Sequence, residues 1–242
     1  MKALKFVLSG KSAFFKKPEV NSYVYFTYSN IHKVTLLGVF GAILGYSGYG
    51  QMTKDEIYPE FYRRLQHLDV AICPNGTVNG MFGKKIQWFN NSVGYASEES
   101  GGNLIVKQQW LDNPSWTIYI ALNCEEAEAI KEAILNNSCV YIPYLGSNAH
   151  PANIQDAQVV EYDDLESKKK VKVDSLFLKG TVEYGFIDAG DDTPFVYSEY
   201  LPMGLTEGTN MYLYQAYEFT NCILKEVGNA VSVSDGSVIV FI

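Results

Sequence analysis

The segment from Val34 to Leu44 is the longest apolar run in the chain, and it carries glycines at Gly38 and Gly41 with a third at Gly45. Thr35 reads as a helix N-cap and Leu36 to Tyr46 as the helix. Its glycines fall close to one face, and each costs roughly 1 kcal/mol relative to alanine in a helix interior. Close packing of that face on a sheet is the simplest compensation. The run is too short to span a bilayer. A chain built around such a helix needs flanking strands, and Lys2 to Ser9 supplies one, with Leu4, Phe6 and Leu8 alternating onto one face.

Further elements follow. Glu56 to Gln66 reads as a short amphipathic helix. Lys85 to Gly94 and Asn103 to Leu111 read as two extended arms joined by a polar tip, Tyr95 to Gly102. Trp116 to Leu122 is a strand. Asn123 is the expected cap of the next helix, with Glu126 completing a capping box and Ala127, Ile130 and Ile134 forming the buried stripe. Cys139 to Pro143 is the expected closing strand. The order strand, helix, hairpin, strand, helix, strand over residues 1–154 is that of an α+β, ferredoxin-like (split βαβ) domain. Residues 155–242 form a smaller β-rich C-terminal region, with strands expected at Ala157 to Tyr162, Lys170 to Leu178, Thr181 to Ile187, Met211 to Phe219 and Val238 to Ile242.

Charge is distributed unevenly. The chain has a net charge of -8, yet residues 1–33 contain six lysines and one acid, a net of +5, which leaves -13 on the other 209 residues. A cationic end on an acidic body fits a local anion site rather than general nucleic-acid affinity. Within that end, Lys11, Lys16 and Lys17 interleave with Phe14, Phe15, Tyr23 and Tyr25. Such a mixture can neutralise phosphates and stack on unpaired bases, while Asn21 can hydrogen-bond a base or a 2′-OH. The same pattern also suits a strand with inward aromatics and outward lysines. His32 and Lys33, beside Thr35, would place cations at a helix N-terminus, where free N–H groups favour an anion. Gly146 and Asn148 lie in a turn where the backbone can approach a ligand.

Other chemistries are not indicated. The four cysteines are widely spaced and, with three scattered histidines, provide no metal framework, so no metal or cofactor is expected. The glycine-rich stretch 76–85 lacks the P-loop pattern. His32, Lys33 and Tyr25 or Tyr46 are the residue types a metal-independent endoribonuclease needs, although their spacing identifies no triad. A small-ligand-binding domain of the same fold is a further alternative. No signal peptide or membrane span is read, and a cytoplasmic location is expected.

The runs LSGKSAFFKKPEVNSYVYFTY (Leu8–Tyr28) and HKVTLLGVFGAILGYSGYG (His32–Gly50) resemble the opening of the Cas-five family of RAMP-type CRISPR-associated proteins. IQWFNNSVGYASEESGGNLIVKQQWLDNPSW (Ile86–Trp116) and YIPYLGSNAHPANI (Tyr141–Ile154) are similar to its type I-B branch, and YLPMG (Tyr200–Gly204) with MYLYQAYEFT (Met211–Thr220) also fits. The resemblance implies an RRM-related domain with a β-hairpin thumb over about 86–111, its tip formed by Tyr95, Ala96, Ser97, Gly101 and Gly102. It further implies a non-catalytic subunit that caps the 5′ handle of crRNA in Cascade for antiviral defence. Its implied neighbours are the Cas-seven backbone, the large subunit and, through the complex, Cas-six, which would do the processing.

Overall fold

The computed structural model describes residues 1–20, 23–166, 170–185, 189–190 and 192–242. Its centre is β1 (Lys2–Ser9), in which Leu4, Phe6 and Leu8 are fully buried on one face. After β1 come β2 (Ser12–Ala13), α1 (Lys33–Leu44), α2 (Glu60–Leu65), β3 (Val70–Pro74), β4 (Lys84–Asn90), β5 (Ile105–Asp112), β6 (Ser115–Ala121), α3 (Glu125–Leu135) and β7 (Asn153–Asp164). The remainder is strand: β8 (Phe177–Leu178), β9 (Val182–Tyr184), β10 (Val196–Leu205), β11 (Tyr212–Thr220), β12 (Leu224–Val227), β13 (Ala230–Val233) and β14 (Val238–Val240).

The main sheet is antiparallel with strand order β14-β13-β7-β1-β6-β3. It curls until its ends meet. Ile242, just beyond β14, donates to the Val70 carbonyl of β3 at 2.9 Å and accepts from the Val70 N–H at 3.4 Å. Leu176 donates to Ile72 at 2.8 Å on the same edge. Backbone groups that an edge strand would leave unpaired are thereby satisfied. The concave side holds a cluster drawn from all six strands, including Ala3, Ala71, Tyr119, Val160, Val231 and Ile239. The opposite face carries Leu4, Phe6, Ile72, Ile118 and Ile120 against the helices.

Helix α1 is apolar around most of its circumference because it is covered on most sides. It touches α2, α3 and β10, and Leu36, Leu37 and Phe40 are completely buried. The β10–β11 pair, joined by β8, forms a second sheet that contributes Leu201, Leu205 and Tyr217 to the same core. A two-stranded sheet, β12 with β9, completes the C-terminal region. The other three-stranded sheet, β2-β5-β4, consists of the β4–β5 hairpin inserted between β3 and β6, with the short β2 added along β5.

Several local expectations are corrected. The second helix begins at Glu60, not Glu56, because Pro59 holds the chain extended at the cap. Cys124, not Asn123, occupies the cap of α3 and makes no side-chain cap bond, while Asn123 donates to Asp69 at 2.8 Å. Residues 139–143 form no strand. Val140 and Tyr141 instead donate to the carbonyls of Ile43 and Ala42 at 3.0 Å each, satisfying the end of α1. The sheet position expected for them belongs to β7. That strand crosses the boundary drawn at residue 154, and β13 and β14 join the same sheet. Strand β10, ten residues long, was not anticipated.

The glycine face is divided. A Cβ on Gly41 would lie 2.5 Å from Cβ of Phe61, so the close approach is to α2 and not to a sheet. Gly38 faces open space. Gly45 ends the helix in the left-handed region (φ 81°), with Tyr46 N–H bonded to Gly41 at 2.8 Å. Gly38→Ala should therefore stabilise the protein by up to about 1 kcal/mol, and Gly41→Ala should destabilise it despite the same gain in propensity. Equal denaturation midpoints for the two variants would contradict this packing.

Candidate nucleic-acid interface

The segment from Lys11 to Tyr28 folds back on itself as an irregular hairpin. Phe15 N–H bonds the Thr27 hydroxyl at 2.9 Å, Tyr28 N–H bonds the Phe15 carbonyl at 2.9 Å, and Lys17 N–H bonds the Phe26 carbonyl at 2.9 Å. This pairing sends Phe14 and Phe15 inward, where both are buried and Phe15 packs 5.8 Å from the Trp116 ring. The expectation that they stack on bases is corrected, because the core needs them. Lys11, Lys16 and Tyr23 face outward. Tyr23 is 94% exposed and holds a positive φ of 58°, a region in which bulky side chains seldom sit. Asn21 lies outside the described residues.

The hairpin docks on the inserted β-hairpin. Ser12 and Ala13 pair with Asp112 and Leu111. Tyr25 donates to the Lys107 carbonyl at 2.9 Å and accepts from the Gln109 N–H at 2.8 Å. Two cation–aromatic pairs are thus brought together. The Lys16 ammonium sits 4.4 Å over the Tyr25 ring, and the Lys107 ammonium sits 4.1 Å over the ring of Trp88, its cross-strand partner. Trp88 is 60% exposed. Sequence reading missed Trp88 and Lys107. Folding the two arms about the expected tip pairs Trp88 with Gln109, two residues away from the observed Trp88–Lys107 register, so it places Lys107 on the right face but not opposite the ring.

At the tip, Gly94–Glu98 forms a 3-10 turn in which Tyr95 is largely exposed, Ala96 is half-buried and Ser97 sits in the backbone turn. Gly101 takes φ 80°. A Cβ on Gly102 would lie 1.8 Å from the Ala96 carbonyl oxygen, so the loop closes on itself only with glycine there.

The helix start does not form the anticipated anion site. Helix α1 begins at Lys33, and His32, not Thr35, is its cap. Nδ1 of His32 accepts from Thr35 N–H at 3.3 Å, and Nε2 lies 2.9 Å from the Thr35 hydroxyl, an arrangement that suits a neutral ring. His32 is 2% exposed and packed among Phe15, Tyr28 and Tyr212. Burial holds its pKa down to about 3. Lys33 is buried, its pKa lowered by that burial, and it donates to the Ile242 main-chain oxygen at 2.9 Å. Neither group is placed to meet a phosphate. Lys17 is also engaged: it pairs with Glu199 at 2.6 Å, and Glu199 accepts from Ser29 N–H and the Tyr197 hydroxyl. Lys84, whose pKa is lowered by burial, donates to Ser29 at 2.9 Å.

Thr35 and Gly146 do meet, in a groove of about 710 Å³ along the Gly38 side of α1, walled by Tyr49, Tyr141, Ile142, Tyr144 and Tyr212. Tyr49 and Tyr212 also line a neighbouring hollow reached by Pro18 and Glu19, which links the groove to the basic segment. The close approach anticipated at Gly146 is to the protein itself, since a Cβ there would lie 1.9 Å from the Phe14 carbonyl oxygen. Asn148 is exposed in the same turn.

No protein-family model and no curated protein matches the chain. Solved structures do. One is a CRISPR RNA-guided surveillance complex chain, 14% identical, covering 93% of this chain and 90% of that one with a TM-score of 0.52. Another is a CRISPR protein from Archaeoglobus fulgidus, 11% identical, covering 99% and 98% with a TM-score of 0.53. The chain shares their fold over nearly its whole length. None of its described helices is long and apolar enough to cross a membrane.

The His32 cap sets a pH dependence. Folded, the ring resists protonation down to about pH 3, whereas unfolded it titrates near 6.5. The unfolded chain thus binds the extra proton between those values, so this contribution to stability is whole above about pH 6.5 and is lost as pH falls. Because asparagine also caps, His32→Asn should lose roughly 2 kcal/mol less than wild type between pH 7 and pH 5 in denaturant titrations. His150, whose pKa is lowered chiefly by burial, acts in the same direction in both proteins. Parallel pH profiles would refute the assignment.

Proposed function

We propose that this chain, with the fold of CRISPR-associated proteins, is a non-catalytic crRNA-binding subunit of a type I effector complex, of the I-B branch, that caps the 5′ handle. The carrying observation is the adjacency of the Lys16–Tyr25 and Lys107–Trp88 pairs along a projecting, solvent-exposed hairpin. Each pair offers a phosphate partner beside a flat ring, the combination that holds single-stranded nucleic acid. We read β1, α1, β3, β6, α3 and β7, with β7-β1-β6-β3 adjacent in the sheet, as a ferredoxin-like arrangement and the β4–β5 hairpin as its thumb. The tyrosine-walled groove beside Gly38 is the second RNA-facing surface. Exposed Tyr200, Met211 and Leu213 provide apolar area for neighbouring subunits, the Cas-seven backbone and the large subunit, with Cas-six reached through the assembly.

A metal-independent ribonuclease is disfavoured by His32. A general base needs a nitrogen within reach of the substrate and a pKa near the working pH, and this ring is buried, neutral and occupied as a cap.

Repeat-derived RNA incubated with the purified chain in chelator should be bound and remain intact. Trp88→Ala should weaken binding by about 1–3 kcal/mol, and Lys16→Ala or Lys107→Ala should each reduce the salt dependence by about one phosphate contact. Lys17→Ala should instead act mainly on stability. Unchanged affinity in the Lys16, Trp88 and Lys107 variants would remove the site. RNA cleavage by wild type that His32→Ala abolishes would favour the ribonuclease.

A further inference from the structure

The spacing of cysteine and histidine in the chain offers no metal motif, yet the fold gathers three different donors beyond the RNA-facing surface. His67, Cys124 and Glu126 each present a ligand atom, and these atoms all lie within 4.8 Å of one another. We propose that they form a zinc site joining the loop after α2 to the N-terminus of α3.

The geometry is close to what the ion requires. Bonds of about 2.0–2.3 Å at tetrahedral angles put ligand atoms roughly 3.3–3.6 Å apart. Nε2 of His67 lies 3.6 Å from Oε2 of Glu126. The other carboxylate oxygen, Oε1, faces Arg64 at 3.7 Å, so Arg64 orients the carboxylate while leaving Oε2 free to turn to the metal. His67 is exposed and Cys124 and Glu126 are half-exposed, so their side chains have room to turn toward an ion.

Two local features favour the site, although Cys124 also packs against the core. Cys124 occupies a helix cap, a position where serine, threonine, aspartate or asparagine is preferred, and its side chain makes no cap bond. The good capping residue beside it, Asn123, turns away to Asp69 at 2.8 Å. That bond, with Ala121 N–H to the Asp69 carbonyl at 3.0 Å, ties the His67 loop to the Cys124 loop and holds the ligands in register. A thiolate with an imidazole and one carboxylate selects zinc over magnesium or calcium. On binding, the Cys124 thiol gives its proton to solvent and forms the S–Zn bond. Three protein ligands leave the fourth position to water or to a donor from a bound partner.

The test uses the full chain, reduced, stripped with chelator and dialysed. Zn2+ titrated calorimetrically should bind at one equivalent and raise Tm. Co2+, as a spectral substitute, should show a thiolate-to-metal charge-transfer band. Cys124→Ser keeps a preferred cap residue, so the fold should persist by circular dichroism while the band disappears and Zn2+ affinity falls at least tenfold. His67→Gln should weaken binding similarly, and Cys139→Ser should change nothing. No thiolate band in wild type, or a band and affinity unaltered in Cys124→Ser and His67→Gln, would overturn the proposal.

Discussion

Everything in this fold is arranged around a helix that cannot face water. Helix α1 is apolar on most sides, so one sheet is not enough to cover it. The main sheet, α2, α3 and β10 together do so, which explains why the C-terminal strands belong to the same core as the first strand. Burial then dictates how the helix begins and ends. At the start, His32 is neutral and bonds Thr35 with both ring nitrogens, and at the end Gly45, Val140 and Tyr141 bond the last exposed carbonyls. A buried helix terminus without such partners would cost about 1–3 kcal/mol for each unsatisfied group.

Local patterns were legible where a single face decided the matter. Strand β1 and the Ala127, Ile130, Ile134 stripe of α3 stand where alternation and helical spacing put them. The hairpin arms were legible for the same reason. What stayed hidden depends on partners distant in sequence. Strand β10 pairs with β11 and packs on α1, and its run of Tyr197, Leu201, Pro202 and Gly204 has no clean period of its own. Residues 139–143 have strand-like composition, but the carbonyls at the end of α1 claim their N–H groups first. In the candidate site, lysine and aromatic content flagged the right segment, but composition cannot say which rings turn inward. Phe14 and Phe15, although adjacent, both went to the core, because tertiary contacts rather than alternation place them: Phe14 N–H bonds the Leu145 carbonyl and Phe15 packs on Trp116, while Tyr23 is left exposed and Tyr25 half-buried.

The same distinction applies to charge. Of the six lysines near the start of the chain, Lys5 is bound to Asp235 at 2.7 Å, Lys17 to Glu199 and Lys33 to the Ile242 oxygen. Asp235 is correspondingly held down to about pKa 2, although burial alone would raise it; the Lys5, Ser237 and Tyr119 hydrogen bonds outweigh that. The cationic surface that remains is smaller than a residue count suggests. It is also better defined, because Lys16 and Lys107 are each seated on a ring rather than free to sample solvent.

Tyr25 has a role beyond its ring. With Ser12 and Ala13 it takes up the outer backbone edge of β5, and β4 is left as the open edge of the hairpin. An exposed strand edge invites another strand to join it, and a sheet with two such edges can grow without limit. Among the described residues, β5 of this hairpin is covered along positions 107–112 and β4 is left open. If two copies met edge to edge through β4, the hairpin sheets would present no second open side for a third, so contact of this kind closes at a pair instead of propagating into a fibre.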